Sequence, residues 1–199
     1  MIVKANIGLA SKSRVFRHLE HIRLRVVTDG TGASPDNPAM DVRSFLRAAL
    51  LGGLVAGTCD IVYAFVWLGQ YGRSPLWVLQ SVASGWLGRA SFGGGWTSGA
   101  IGIASHYGIS IVAAAAFGAA SWHLSFMRRH WILCGLAYGV PVYLFMNFVV
   151  MPLSNAPFAA STAPSSLAQG FASHALLFGL PIAWFARKAK PAPWGAGFG

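Results

Sequence analysis

Four long apolar runs dominate the pattern of this chain, over residues 45–70, 97–122, 131–151 and 166–186. Each approaches or exceeds the roughly 20 helical residues needed to cross a hydrocarbon core about 30 Å thick. A soluble helical bundle would show apolar stripes separated by polar faces, whereas these runs are apolar nearly all round. Gly57, Pro141 and Pro181 fall inside them, which is tolerated in membrane helices and awkward in water. The pattern predicts an all-α, polytopic membrane protein with four transmembrane helices.

The segments between and before the runs carry weaker patterns. Ser74-Pro75 reads as a helix start, with Ser as N-cap and Pro at the first helical position. The following residues to 91 put Leu76, Leu79, Ala83 and Trp86 on one side and Gln80, Ser84 and Ser91 on another. The segment is short and polar for a span. It reads as an interfacial or re-entrant helix over about 75–91, ended by Gly93 to Gly95, either a lid on the bundle or a plain spacer.

Near the N-terminus, Val15, Leu19, Ile22 and Val26 form one helical stripe beside Arg14, His18, His21 and Arg25. Such a basic amphipathic helix suits an anionic leaflet. An Arg-rich transit peptide is the alternative reading, and the apolar core of a secretory signal is missing. Residues 28–41 read as a linker, and Met40 would be a natural start. The expected organisation is a basic cytoplasmic tail over 1–41, of a composition compatible with disorder, a transmembrane domain over 42–187, and a cytoplasmic tail over 188–199.

Two short motifs recur. Gly102-Ile-Ala-Ser-His106 in the second run returns as Gly170-Phe-Ala-Ser-His174 in the fourth. Gly53-Leu54-x-x-Gly57 in the first returns as Gly135-Leu136-x-x-Gly139 in the third. Two parallel-repeat hairpins about a pseudo-twofold axis along the membrane normal would explain both, although short matches also arise by chance in a chain with 24 glycines. The GxxxG pairs let helix backbones approach closely, which points to a tight bundle and to a homo-oligomer through the same faces.

Composition and charge sharpen this picture. Mean hydropathy is +0.54 and only 10% of residues are charged, against about a quarter in soluble domains. Four of the five acids (Glu20, Asp29, Asp36, Asp41) precede residue 42, leaving Asp60 alone in the apolar body. A net charge of +10 raises nucleic acid as a partner. The cations instead cluster at the ends of apolar runs, so the expected partner is the bilayer. Arg43 and Arg47, Arg128 to His130, and Arg187 to Lys190 flank alternate ends of the runs, whereas the stretch 152–166 is uncharged. Under the positive-inside rule both termini are cytoplasmic.

Candidate chemistry lies within the spans. Counting 1.5 Å per residue puts Asp60, His106 and His174 at one depth on three helices, about 20 Å from the cytoplasmic boundary, with Asn147 further out. A carboxylate at that depth must be paired, protonated or wetted. Three readings stay open: a hydrogen-bond network that locks helices together, a path for protons or a small cation, and a b-type haem with His106 and His174 as axial ligands. One acid and two histidines are too few for a closed metal site. No CxxC, HExxH, GxSxG or P-loop pattern occurs, so no catalytic residue is assigned. Cys59 and Cys134, at different depths, are expected to be free thiols.

The strings GGLVAGTCDIVYA, LQSVASGWLG, GLAYGVPVYLFMNFVVMPLS and SHALLFGLPIAWFAR together resemble a group of uncharacterised bacterial membrane proteins, distantly similar to the YagU-like inner-membrane family. The likeness covers about residues 42–187. It implies a bacterial inner-membrane location and supplies no activity, cofactor or catalytic residue.

Overall fold

The structure, a computed structural model, describes residues 40–191. The basic stripe over 14–26, the linker up to residue 39 and the last eight residues lie outside the described part. Six helices follow in order: α1 (Val42–Gly69), α2 (Pro75–Leu87), α3 (Gly95–His123), α4 (Ser125–Arg129), α5 (Trp131–Leu153) and α6 (Pro164–Ala186). The described residues contain no strand. Helices α1, α3, α5 and α6 are each long and apolar enough to cross a membrane, so the chain is an all-α integral membrane protein with four spans.

Helix ends depart from the apolar runs by up to three residues, because caps rather than hydropathy fix them. The Asp41 carboxylate accepts the Arg43 backbone N–H at 3.0 Å and starts α1 at Val42. Pro164 occupies the first position of α6. The charges then distinguish two ends of the bundle. Arg43, Arg47, Arg128, Arg129, Arg187, Lys188 and Lys190 gather at one, the basic end. The other, the far end, carries α2 and the uncharged stretch between α5 and α6.

Helix α1 packs between α3 and α6, and α5 packs on α6. Glycines set both hairpin seams. A Cβ on Gly53 would meet the Ile111 backbone of α3, and one on Gly57 would meet Ser110 and Tyr107. Across the other seam, Gly135 abuts the Gly179 carbonyl and Gly139 abuts the His174 carbonyl of α6. All four motif glycines therefore face neighbours within the same chain. The surface expected to serve a homo-oligomer through GxxxG is already covered.

Helices α5 and α6 each contain a widened turn. The Met151 N–H reaches back five residues to the Met146 carbonyl, and the Leu180 N–H to that of Ala175. A proline follows each turn, Pro152 and Pro181. A proline lacks the N–H and its ring clashes with the carbonyl four residues earlier. A π turn relieves that conflict without ending the helix. The second such turn begins at His174, which makes it part of the candidate site.

Helix α2 begins as its cap signature predicts, Ser74 Oγ accepting the Trp77 N–H at 3.1 Å with Pro75 in the first turn. It lies along the far-end half of α3, where Gly99 and Gly102 admit Leu76 and Leu79. Its buried face takes in part of both sides, with Ala83 fully buried. Trp86 is 69% exposed, whereas Gln80 and Ser84 are buried. Both are satisfied by backbone carbonyls, Ser84 Oγ donating to Ser81 O of its own helix at 2.7 Å. Gln80 Nε2 donates to the Gly95 carbonyl at 3.1 Å, and Ser98 Oγ donates to Ser91 O at 2.6 Å. Ser98→Ala is expected to weaken this docking by about 1 kcal/mol, visible as faster proteolysis at the Gly93–Gly95 turn while the four spans stay intact.

Candidate functional site

The seam between α1 and α6 holds the carboxyl group of the spans and one of the two candidate histidines. On α1, Asp60 lies one turn from Gly57 toward the far end, and Tyr63 one turn further. On α6, His174 and Gln169 rise in the same direction. Two polar rungs result. In the lower one the Asp60 carboxylate stands 3.9 Å from His174 Nε2, and each side chain is 19% exposed. In the upper one Gln169 Nε2 donates to the Tyr63 hydroxyl at 2.7 Å. From there toward the far end Tyr63 stacks on Trp67, which meets Tyr71 edge-on.

Toward the basic end the seam turns apolar. Ala56, Phe178, Ile182 and Ala183 are buried there together with Ala114 and Phe117 of α3. Phe178 lies one turn from His174, ring centroids 6.0 Å apart. The Tyr143 ring meets the imidazole edge-on at 5.1 Å. The rungs are thus sealed below and continue as polar and aromatic side chains above.

Hydrogen-bond roles fix the protons of the lower rung. His174 Nδ1 lies 3.1 Å from the Gly170 carbonyl of its own helix. A carbonyl can only accept, so Nδ1 carries a hydrogen and donates. In a neutral imidazole Nε2 is then a lone pair, and that lone pair faces Asp60. An ionised carboxylate would oppose it. The contact is favourable when one proton resides on the pair, either on Asp60 or on His174. At 3.9 Å the two groups are too far apart for a direct hydrogen bond. A movement of about 1 Å, or an intervening water, would complete it.

His106 does not join this pair. Its Nε2 lies 2.8 Å from the Gly57 carbonyl and donates to it, one turn nearer the basic end than Asp60. Thr58 and Tyr107 reinforce the same α1–α3 seam, the tyrosine donating at 2.9 Å to an oxygen whose own hydrogen goes to Leu54 O. The expected meeting of one carboxyl with two imidazoles is therefore a meeting with one. Each histidine directs Nε2 at α1, at different heights. Axial ligation of one iron requires both nitrogens to face it from opposite sides, so this geometry does not fit the haem alternative.

Asn147 is also apart from the layer. Its Nδ2 donates to the Tyr143 carbonyl within α5 at 2.9 Å. It borders an open cavity of about 490 Å³ at the far end, with Met151, Ser154 and Phe158. Asp60, His106 and His174 line neither this cavity nor the apolar groove described below. No group of three His, Cys, Asp or Glu side chains converges on a metal position among the described residues. Cys59 and Cys134 are free and half-buried.

Tyr63 and Gln169 were missed by sequence reasoning. The available signal was Gln169 itself, an amide inside an apolar run with no charged neighbour. No protein-family model, curated protein or solved structure matches this chain.

Proposed function

We propose that this integral membrane protein binds a proton at the Asp60–His174 pair, within a bundle whose basic end faces the cytoplasm of a bacterial inner membrane. The carrying observation is the Gly170 carbonyl on His174 Nδ1, which leaves Nε2 and the carboxylate with one proton to share. Polar side chains of Tyr63 and Gln169 favour exchange with the far end, and the apolar core below opposes passage through the bundle. Proton binding with response to the outer side therefore fits better than conduction across the membrane. Two ligating side chains are few for a small cation.

Orientation rests on seven Lys and Arg residues at one end against Arg73 and Arg89 at the other, among the described residues. A parallel repeat is supported by matching contacts in the two hairpins. Gly53 meets Ile111 where Gly135 meets Gly179, and both partners lie five residues after the motif histidine. The lock reading is supported by the His106–Gly57 and Tyr107–Thr58 bonds, which join α1 to α3 without any charge.

Asp60→Asn tests the proposal. The amide can donate to Nε2 as a protonated acid would, so the variant should fold, with helix content and elution unchanged. In liposomes, stepping the external pH should cause proton uptake by the natural protein and lose about one proton per chain in the variant. Equal uptake by both proteins would refute proton binding at this pair. Loss of folded Asp60→Asn protein would favour the lock.

A further inference from the structure

An apolar groove of about 310 Å³ runs between α3 and α5. These helices meet at Tyr138, whose ring packs on Phe117 and whose hydroxyl donates to the Ala113 carbonyl at 2.8 Å. Past that contact the groove opens outward, rimmed by Ile109, Val112, Ala116 and Phe145. Val112 is 69% exposed and Phe145 56% exposed. The bond at Ala113 removes the tyrosine hydroxyl from the lining, so the walls present carbon. By contrast the α1–α6 seam is closed by protein, with Gly52 against Phe185 and Ile182.

Toward the basic end, beyond this groove, lies α4, the connector between the same two helices. It brings Arg128 and Arg129, with His130 beside them. The Arg128 guanidinium sits 4.8 Å over the Trp122 ring, a placement that fixes the side chain and leaves its N–H edge for an anion. Arg129 and His130 are exposed. Among the described residues Asp41 and Asp60 are the acids, one capping α1 and the other beside His174, so no carboxylate answers this arginine pair. Ala116 and Tyr138 each lie seven residues from their helix ends at the connector, and Ile109 and Met146 about twice as far. At 1.5 Å per residue the groove therefore occupies a band about 10 to 20 Å above the arginines. That is the depth of acyl chain beneath a phosphate held at the interface.

We infer that α3, α4 and α5 form a binding site for one anionic phospholipid, its phosphate on Arg128 and Arg129 and an acyl chain in the groove. Charge complementarity selects the headgroup, and the carbon walls select the tail. The site is separate from the Asp60–His174 pair and does not depend on the proton reading.

The test uses the purified, delipidated full chain in detergent, with phosphatidylglycerol, phosphatidylcholine or inorganic phosphate added. Native mass spectrometry counts retained lipid, and thermal unfolding reports its effect. Phosphatidylglycerol should be retained and should raise the midpoint, with phosphatidylcholine binding about tenfold more weakly. Arg128→Gln with Arg129→Gln should remove that preference. Ala116→Trp, at an exposed position that fills the groove, should remove retention while the chain stays folded. Equal retention of the two lipids, an equal effect of inorganic phosphate alone, or unchanged retention in Ala116→Trp would overturn the site. A dimer in the natural protein that Ala116→Trp dissociates would overturn it too, by giving the groove to a second copy.

Discussion

Gly139→Leu is expected to abolish accumulation of folded protein, the largest effect of any single substitution in the spans. A side chain there has nowhere to go. Even its Cβ would overlap the His174 carbonyl and Ala175 Cα of α6, and backbone cannot swing aside as the end of a flexible side chain can. Overpacking with room to adjust costs about 1–3 kcal/mol. The cost here should exceed that range, because relief requires the α5–α6 seam to open. The seam continues at Gly135, whose carbonyl lies against Gly179, so separation at one point strips contacts along its length. In lipid that close contact is itself what holds helices together. Gly108 supplies the control. It has nothing within 4 Å of its added Cβ, and Gly108→Ala should be neutral or gain up to about 1 kcal/mol of helix propensity. Yield of monodisperse protein and its unfolding midpoint measure both variants. Wild-type yield and midpoint for Gly139→Leu would disprove the seam.

The spans were legible because bilayer thickness converts directly into run length. Hydropathy alone located four helices, and caps at Asp41 and Pro164 adjusted their ends. Depth was legible too: residue counting put Asp60 and His174 at one height, and the structure sets them 3.9 Å apart. Rotation was not. A helix that is apolar all round carries no stripe to say which face meets which neighbour. Hence His106, correct in depth to within a turn, was expected beside Asp60 and instead serves the Gly57 carbonyl. Asn147 failed for a second reason. An amide within a span can be satisfied by its own helix, here at Tyr143 O, and then has no need of a partner elsewhere.

The buried Gln80 and Ser84 of α2 show the same limit from the other side. Periodicity set them apart from the apolar side, yet both are buried, Gln80 bonded to the Gly95 carbonyl and Ser84 to that of Ser81. Polar side chains in this protein follow backbone demand more closely than they follow helical stripes. Asp60 is the exception, since it accepts no hydrogen bond from the backbone of either helix in the seam. Its one close partner among the described residues is the imidazole. A carboxyl group in that position has a cost that a neighbour must offset.

That dependence gives the second large effect. His174→Leu should destabilise the protein by about 3–5 kcal/mol, because removing one member of a buried pair leaves the other uncompensated. The loss is not one of packing. Leucine is apolar, and Phe178 and the Tyr143 ring already surround the site. Removing the acid as well should therefore restore stability. Asp60→Leu/His174→Leu is expected to lie within about 1–2 kcal/mol of the natural protein, since a pair replaced on both sides by carbon can be nearly neutral. The coupling between the two substitutions, read from unfolding midpoints of the four proteins, should be large and of the sign that makes the double variant more stable than His174→Leu alone. Additive losses would mean that Asp60 and His174 do not depend on one another, and the proton they share would have no physical basis. His106→Leu in the Asp60→Leu background separates the two histidines. It removes a bond to a backbone carbonyl, which Asp60 does not touch, so its cost should add to that of Asp60→Leu without rescue.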